Sequence, residues 1–73
     1  MLLSQMKENQ TATITALDEG FALSRRLHDM GFTAGQKINC CEIGLCGSPI
    51  AYTIRGTKIA LRKKDADKIG VVL

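Results

Sequence analysis

From Thr11 to Leu17 the chain alternates, with Ala12, Ile14 and Ala16 on one face and Thr11, Thr13 and Thr15 on the other. A period of two rich in β-branched residues predicts a half-buried strand. From Phe21 to Met30 the period lengthens. Leu23, Leu27 and Met30 fall at i, i+4 and i+7, which is the apolar stripe of a helix. Arg25, His28 and Asp29 fall opposite and are predicted to face water. Gly31 sits where a helix end calls for positive φ, and Phe32 is placed to fold back on Leu27.

The alternation resumes over Lys37 to Ile43 but slips. Ile38 and Cys40 share one face, Cys41 and Ile43 the other, which predicts a bulge near Cys40-Cys41 or a strand covered on both sides there. Gly44-Leu45-Cys46-Gly47-Ser48 reads as a loop, and Pro49 as a strand start or edge. Ile50, Tyr52 and Ile54 then point one way. Arg55-Gly56-Thr57 is a tight turn, and Lys58 to Leu61 a return strand with Ile59 and Leu61 inward. Lys63 to Ile69 allows one helical turn, ended by Gly70, with Val71-Val72-Leu73 as a closing strand. At the other end, Leu3 to Lys7 is an entry segment with Ser4 as a local cap and Leu3 and Met6 as apolar contacts. Glu8-Asn9 is a turn, and Asp18-Glu19-Gly20 breaks the first strand ahead of the helix.

About five short strands separated by turn signals, with one inserted helix and a short C-terminal helical turn, predict a mostly β protein. A small barrel suits this size because closure removes exposed edges. The 73 residues make a single domain, 1–73, with a small core and no insertion left over for a deep substrate pocket.

Charge narrows the class of partner. A net charge of +3 with only three aromatics (Phe21, Phe32, Tyr52) is thin for a nucleic-acid binder, which shows a denser basic face. No apolar run approaches the roughly 20 residues of a membrane span, and no secretory pattern opens the chain. Three cysteines fit reduced thiols in the cytoplasm better than an even disulfide framework.

Candidate chemistry is sparse. Cys40 and Cys46 are the weak candidates for metal. Adjacent Cys40 and Cys41 point to opposite strand faces, and a structural zinc site needs four ligands. Weak binding of iron or zinc is the most these thiols suggest, with no resident cofactor. Asp65 and Asp67 are surrounded by Lys63, Lys64 and Lys68 and read as solvated charge. Arg62-Lys63-Lys64 reads as a soluble strand end, or as an electrostatic guide to an acidic partner or to the anionic inner membrane surface. Catalysis has no support: the sequence shows no paired carboxylates, no phosphate-cradling loop and no oriented nucleophile beside His28.

In order and spacing, Leu27-x-x-Met30-Gly31-Phe32-x-x-Gly35, Ile38, Pro49-Ile50, Arg55-Gly56, Ile59-Ala60-Leu61-Arg62, Ala66 and Ile69-x-Val71 resemble the FeoA family. These are small cytoplasmic accessory proteins of bacterial ferrous iron uptake. The resemblance covers nearly the whole chain. It implies an SH3-like barrel and a non-enzymatic partner of the FeoB permease, which carries a cytoplasmic GTP-binding domain. The chain departs from the family at Glu8-Asn9, where Pro-Gly is common, and in the Gly44–Ser48 loop, where Pro-Leu-Gly-Asp is usual. Exposure then suggests Arg25 and His28 on the helix, Leu45, Cys46 and Gly47 on the loop, and the barrel's edge strands as the partner contacts. The edges also allow a weak homodimer, a monomer being the alternative.

Overall fold

The computed structural model describes residues 1–18 and 20–73. Five strands, β1 (Thr11–Leu17), β2 (Lys37–Ile43), β3 (Ile50–Ile54), β4 (Thr57–Leu61) and β5 (Ile69–Val72), form one antiparallel sheet in the order β4-β3-β2-β1-β5. Helix α1 (Ser24–Asp29) links β1 to β2, and the single turn α2 (Lys63–Ala66) links β4 to β5. Among the described residues a 3-10 turn, Leu3–Gln5, precedes β1, and an irregular turn, Leu45–Gly47, lies between β2 and β3. Side chains from all five strands, both helices and the N-terminal turn enter one core. A sheet this small can deliver them to one centre only by curling into a barrel. The barrel stays open, however: among the described residues β4 and β5 are not paired, so the closure expected to remove the edges is incomplete.

Alternation sets the inner face: Ile50, Tyr52 and Ile54 are all buried, as their spacing predicts. Two bulges then correct the pattern. In β2 the ladder passes from Cys40↔Tyr52 to Glu42↔Ala51, so Cys41 is the extra residue, where the slipped alternation placed it. In β1 the ladder steps from Ile14↔Val71 to Ala16↔Gly70, leaving Thr15 extra. That bulge reverses the faces, so Ala16, expected inward, is exposed and Leu17 packs against the core instead. Gly70 lies inside β5 rather than ending a helix. A β-carbon there would sit 3.2 Å from the Thr15 hydroxyl, so the bulge is accommodated by a glycine opposite it.

Helix α1 is shorter than the Phe21–Met30 stripe suggested. Its end is a Schellman motif, with Gly31 N–H donating to His28 C=O and Phe32 N–H to Leu27 C=O. Leu27 and Phe32 are fully buried and Leu23 partly so. Met30, expected in the core, is 39% exposed, because as the C-cap it stands at the helix end rather than over the sheet. Ser4 does not act as a local cap. Its hydroxyl donates to the Asp67 carboxylate, tying the N-terminal turn to the residue after α2. The break at Asp18-Glu19-Gly20 includes Glu19, which lies outside the described residues; Asp18 Oδ1 accepts from Gly20 N–H at 2.8 Å.

The β3–β4 hairpin turns on Arg55 and Gly56, with φ of 50° and 79°. Two consecutive positive φ values make the turn whose twist matches the flanking strands. The return strand accordingly begins at Thr57, one residue earlier than the pattern indicated.

Candidate docking site

Two surface features carry the sequence-predicted contact residues, and they are built differently. The first lies on α1. Arg25 and His28 are exposed and, with Leu17, Ser24 and Asp29, line an open groove of about 500 Å³. Leu17 reaches this groove through the Thr15 bulge, which alternation alone does not reveal. The helix is fixed from its far end. Gly31 has φ +105°, and a β-carbon there would lie 2.5 Å from Cδ of Arg55. The Arg55 stem therefore packs on the one residue that lacks a side chain, which joins the helix end to the β3–β4 hairpin.

The second feature is the 45–47 turn. Leu45 is 93% exposed, the most exposed large apolar side chain of the described residues. Its loop is held at the base. Gly44 N–H donates to Pro49 C=O at 2.8 Å, and Gly47 N–H to Gly44 C=O at 3.0 Å. A β-carbon on Gly44 would come within 2.7 Å of the Pro49 carbonyl oxygen, so only glycine fits there. Ser48 Oγ accepts from Lys63 N–H at 3.2 Å, linking the loop to α2. Cys46 follows Leu45 with φ 65°, a left-handed conformation that a β-carbon disfavours. The turn is thus hydrogen-bonded at its base while its tip presents an apolar side chain to water.

Arg25 and His28 thus come together in one groove, and Leu45, Cys46 and Gly47 on one turn. The groove takes no residue of that turn. Met30 stands exposed beside the helix end and was missed because it completes the i+7 stripe; its place directly before Gly31 was the signal that it caps the helix instead.

The thiols are dispersed. Cys40 is fully buried, Cys41 half-buried with Sγ 2.6 Å from Thr53 Oγ1, and Cys46 exposed. Burial pushes the Cys40 thiol above its ordinary pKa, and the nearby Cys41 and Glu8 add to the rise. A thiol held protonated is a poor metal ligand. Among the described residues no group of three or more His, Cys, Asp or Glu side chains is placed to hold a metal ion. Nor, among them, is any helix long and apolar enough to cross a membrane.

Comparison with known proteins gives one consistent result. The family model described as the FeoA domain matches residues 1–73. A fusion of Fe(2+) transport protein A with the Fe(2+) transporter FeoB, from Porphyromonas gingivalis, is 30% identical over the whole chain; the chain spans 9% of that protein. The solution structure of FeoA from Chlorobium tepidum superposes with a TM-score of 0.92 at 30% identity, covering 100% of this chain and 70% of the other. FeoA from Stenotrophomonas maltophilia, solved in complex with zinc, matches with a TM-score of 0.88 at 27% identity over 97% of this chain and 88% of its own. It is described as an SH3 domain protein proposed to act as a ferrous iron transport activating factor.

Proposed function

The chain belongs to the FeoA family, and from that premise we propose that it is a non-enzymatic accessory module of ferrous iron uptake. It docks on the cytoplasmic side of an FeoB-type permease and modulates transport or the permease's nucleotide cycle. The observation that carries this reading is the pinned 45–47 turn with Leu45 held out in water. A side chain of this kind in a 73-residue domain adds nothing to its own core, and on this reading it fills a pocket on the partner. The Porphyromonas gingivalis relative supports the choice of partner, because there the two components are one polypeptide. The Arg25–His28 groove supplies a second, polar contact.

The test is calorimetry of the chain against the soluble GTP-binding domain of the permease, under reducing conditions, with and without nucleotide and ferrous iron. Saturable binding is expected. Burying a leucine is worth about 1.5–3 kcal/mol, so a Leu45→Asp, Cys46→Ser variant should bind at least about tenfold more weakly while keeping its fold. Unchanged affinity in that variant would remove the turn from the interface.

A second reading, metal binding through thiols, has the exposure of Cys46 in its favour. Because no group of three or more His, Cys, Asp or Glu side chains is placed to hold a metal among the described residues, it requires ligands from another molecule. One equivalent of zinc retained through gel filtration, and lost in Cys46→Ser, would support it.

A further inference from the structure

The two edges of the sheet are not equivalent. Along β5 the outer side is occupied: Val71 N–H donates to Met1 C=O at 2.7 Å, and Leu2 bridges to Gly70. Along β4 it is open. The pair flanking the two-residue turn, Ile54↔Thr57, is the hydrogen-bonded kind, so Thr57, Ile59 and Leu61 direct their backbone groups toward β3. Alternation then directs the N–H and C=O of Lys58 and Ala60 away from the sheet. Among the described residues, no hydrogen bond reaches those four groups.

The side chains around this edge have a definite pattern. On the outer face Lys58, Ala60 and Arg62 follow at i, i+2 and i+4, two exposed cations flanking a small residue. An open cleft of about 420 Å³ lies along the edge, lined by Ala22, Leu23, Ala60 and Leu61 together with the charged Arg62, Lys64 and Asp65. Lys58 is only loosely held by Glu42, at 3.9 Å with both side chains exposed.

We propose that β4 is a strand-addition site for an extended acidic segment of a partner protein, of the pattern acidic–apolar–small–apolar–acidic. Paired antiparallel to β4, such a segment satisfies the four free backbone groups of Lys58 and Ala60. Its two carboxylates stand across from Lys58 and Arg62, its central residue passes over Ala60, and its apolar residues enter the cleft beside Leu23 and Leu61. Charge disfavours a second copy as the occupant. Pairing β4 with itself so that Lys58 meets Ala60 puts Arg55 of one copy and Arg62-Lys63 of the other at the same end of the ladder, and like charges across strands repel. This site adjoins the base of the 45–47 turn, where Ala60 lines a shallow depression with Gly44 and Pro49, but it uses the backbone of β4 and does not depend on the role of Leu45.

The test uses the full chain labelled with nitrogen-15 and the synthetic peptide acetyl-Thr-Glu-Val-Thr-Val-Glu-Thr-amide. The control peptide carries lysine at both glutamate positions. Amide exchange at Lys58 and Ala60 is expected to slow at saturating acidic peptide. Binding of the control, and of the acidic peptide to a Lys58→Glu, Arg62→Glu variant, should be weaker by about tenfold, because both cross-strand pairs change sign. Ala60→Pro deletes an outward N–H, which an edge strand tolerates, and should abolish binding with the circular dichroism unchanged. If that variant unfolds, the charge-reversed one still decides. Lack of binding, equal binding of both peptides, protection that bypasses Lys58 and Ala60, or a dimer broken by Lys58→Glu would each overturn the proposal.

Discussion

Replacing Gly31 by alanine tests how the helix face is held against the barrel. Two effects act together. At φ +105° a β-carbon costs about 1–3 kcal/mol in backbone strain. That carbon would also stand 2.5 Å from Arg55 Cδ, well inside contact, so the Arg55 stem must move. The stem is flexible, but its root lies in a turn with φ 50° and cannot retreat freely. A loss of about 2–3 kcal/mol follows, and for a domain of this size each kcal/mol lowers Tm by about 4–8 °C. Urea unfolding of Gly31→Ala followed by circular dichroism gives the total. Arg55→Ala keeps the turn strain and removes the contact, so the double variant should lose less than the sum of the singles. A loss under about 0.5 kcal/mol in Gly31→Ala would refute the account of this joint. Additivity of the two variants would refute the contact with Arg55.

Other consequences are more local. Tyr52 is fully buried and its hydroxyl donates to Leu3 C=O at 3.2 Å, so Tyr52→Phe should cost about 1 kcal/mol in chemical denaturation, and no loss would show that bond to be idle. The Ser4 hydroxyl, then the charges of Lys63 and Lys68, hold the Asp67 carboxyl below the usual carboxylate range despite some desolvation. Its contribution to stability is therefore complete above the unfolded-state pKa of about 4 and fades as pH falls through the lowered native value. Ser4→Ala should make the acid-side fall in stability shallower; superimposable pH profiles would contradict this. Iodoacetamide should alkylate Cys46 in the native protein and spare Cys40 until denaturant is added, as mass spectrometry of the peptides would show. Equal native labelling of the two would contradict the burial of Cys40.

The strands of this fold were legible where alternation was undisturbed. Ile50, Tyr52 and Ile54 needed only their spacing, and the Cys40-Cys41 slip announced its bulge because apolar residues change face there. The Thr15 bulge was silent, since the run through Ala16 still alternates in composition. The glycine opposite that leaves room for it lies 55 residues further on in the chain, from Thr15 to Gly70, and no local pattern contains it. The C-cap at Gly31-Phe32 was readable, but Met30 was assigned to the core because a stripe does not mark its own last turn. The site was half legible. Exposure of Arg25, His28 and Cys46 followed from position, whereas the hydrogen bonding at the base of the 45–47 turn rests on Gly44 meeting Pro49 and Ser48 meeting Lys63. The open β4 edge needed the strand order, because only the order shows which edge the N-terminus covers.

We propose that this chain docks on the cytoplasmic part of a ferrous iron permease through the Leu45 turn and the α1 groove. The most direct test is a titration of the labelled chain with the permease's soluble GTP-binding domain, read by amide chemical shifts. The account predicts saturable changes concentrated at Leu45, Cys46 and Gly47 and at Arg25 and His28, lost at the turn in Leu45→Asp. Spectra unchanged at saturating partner, in every nucleotide state, would contradict it.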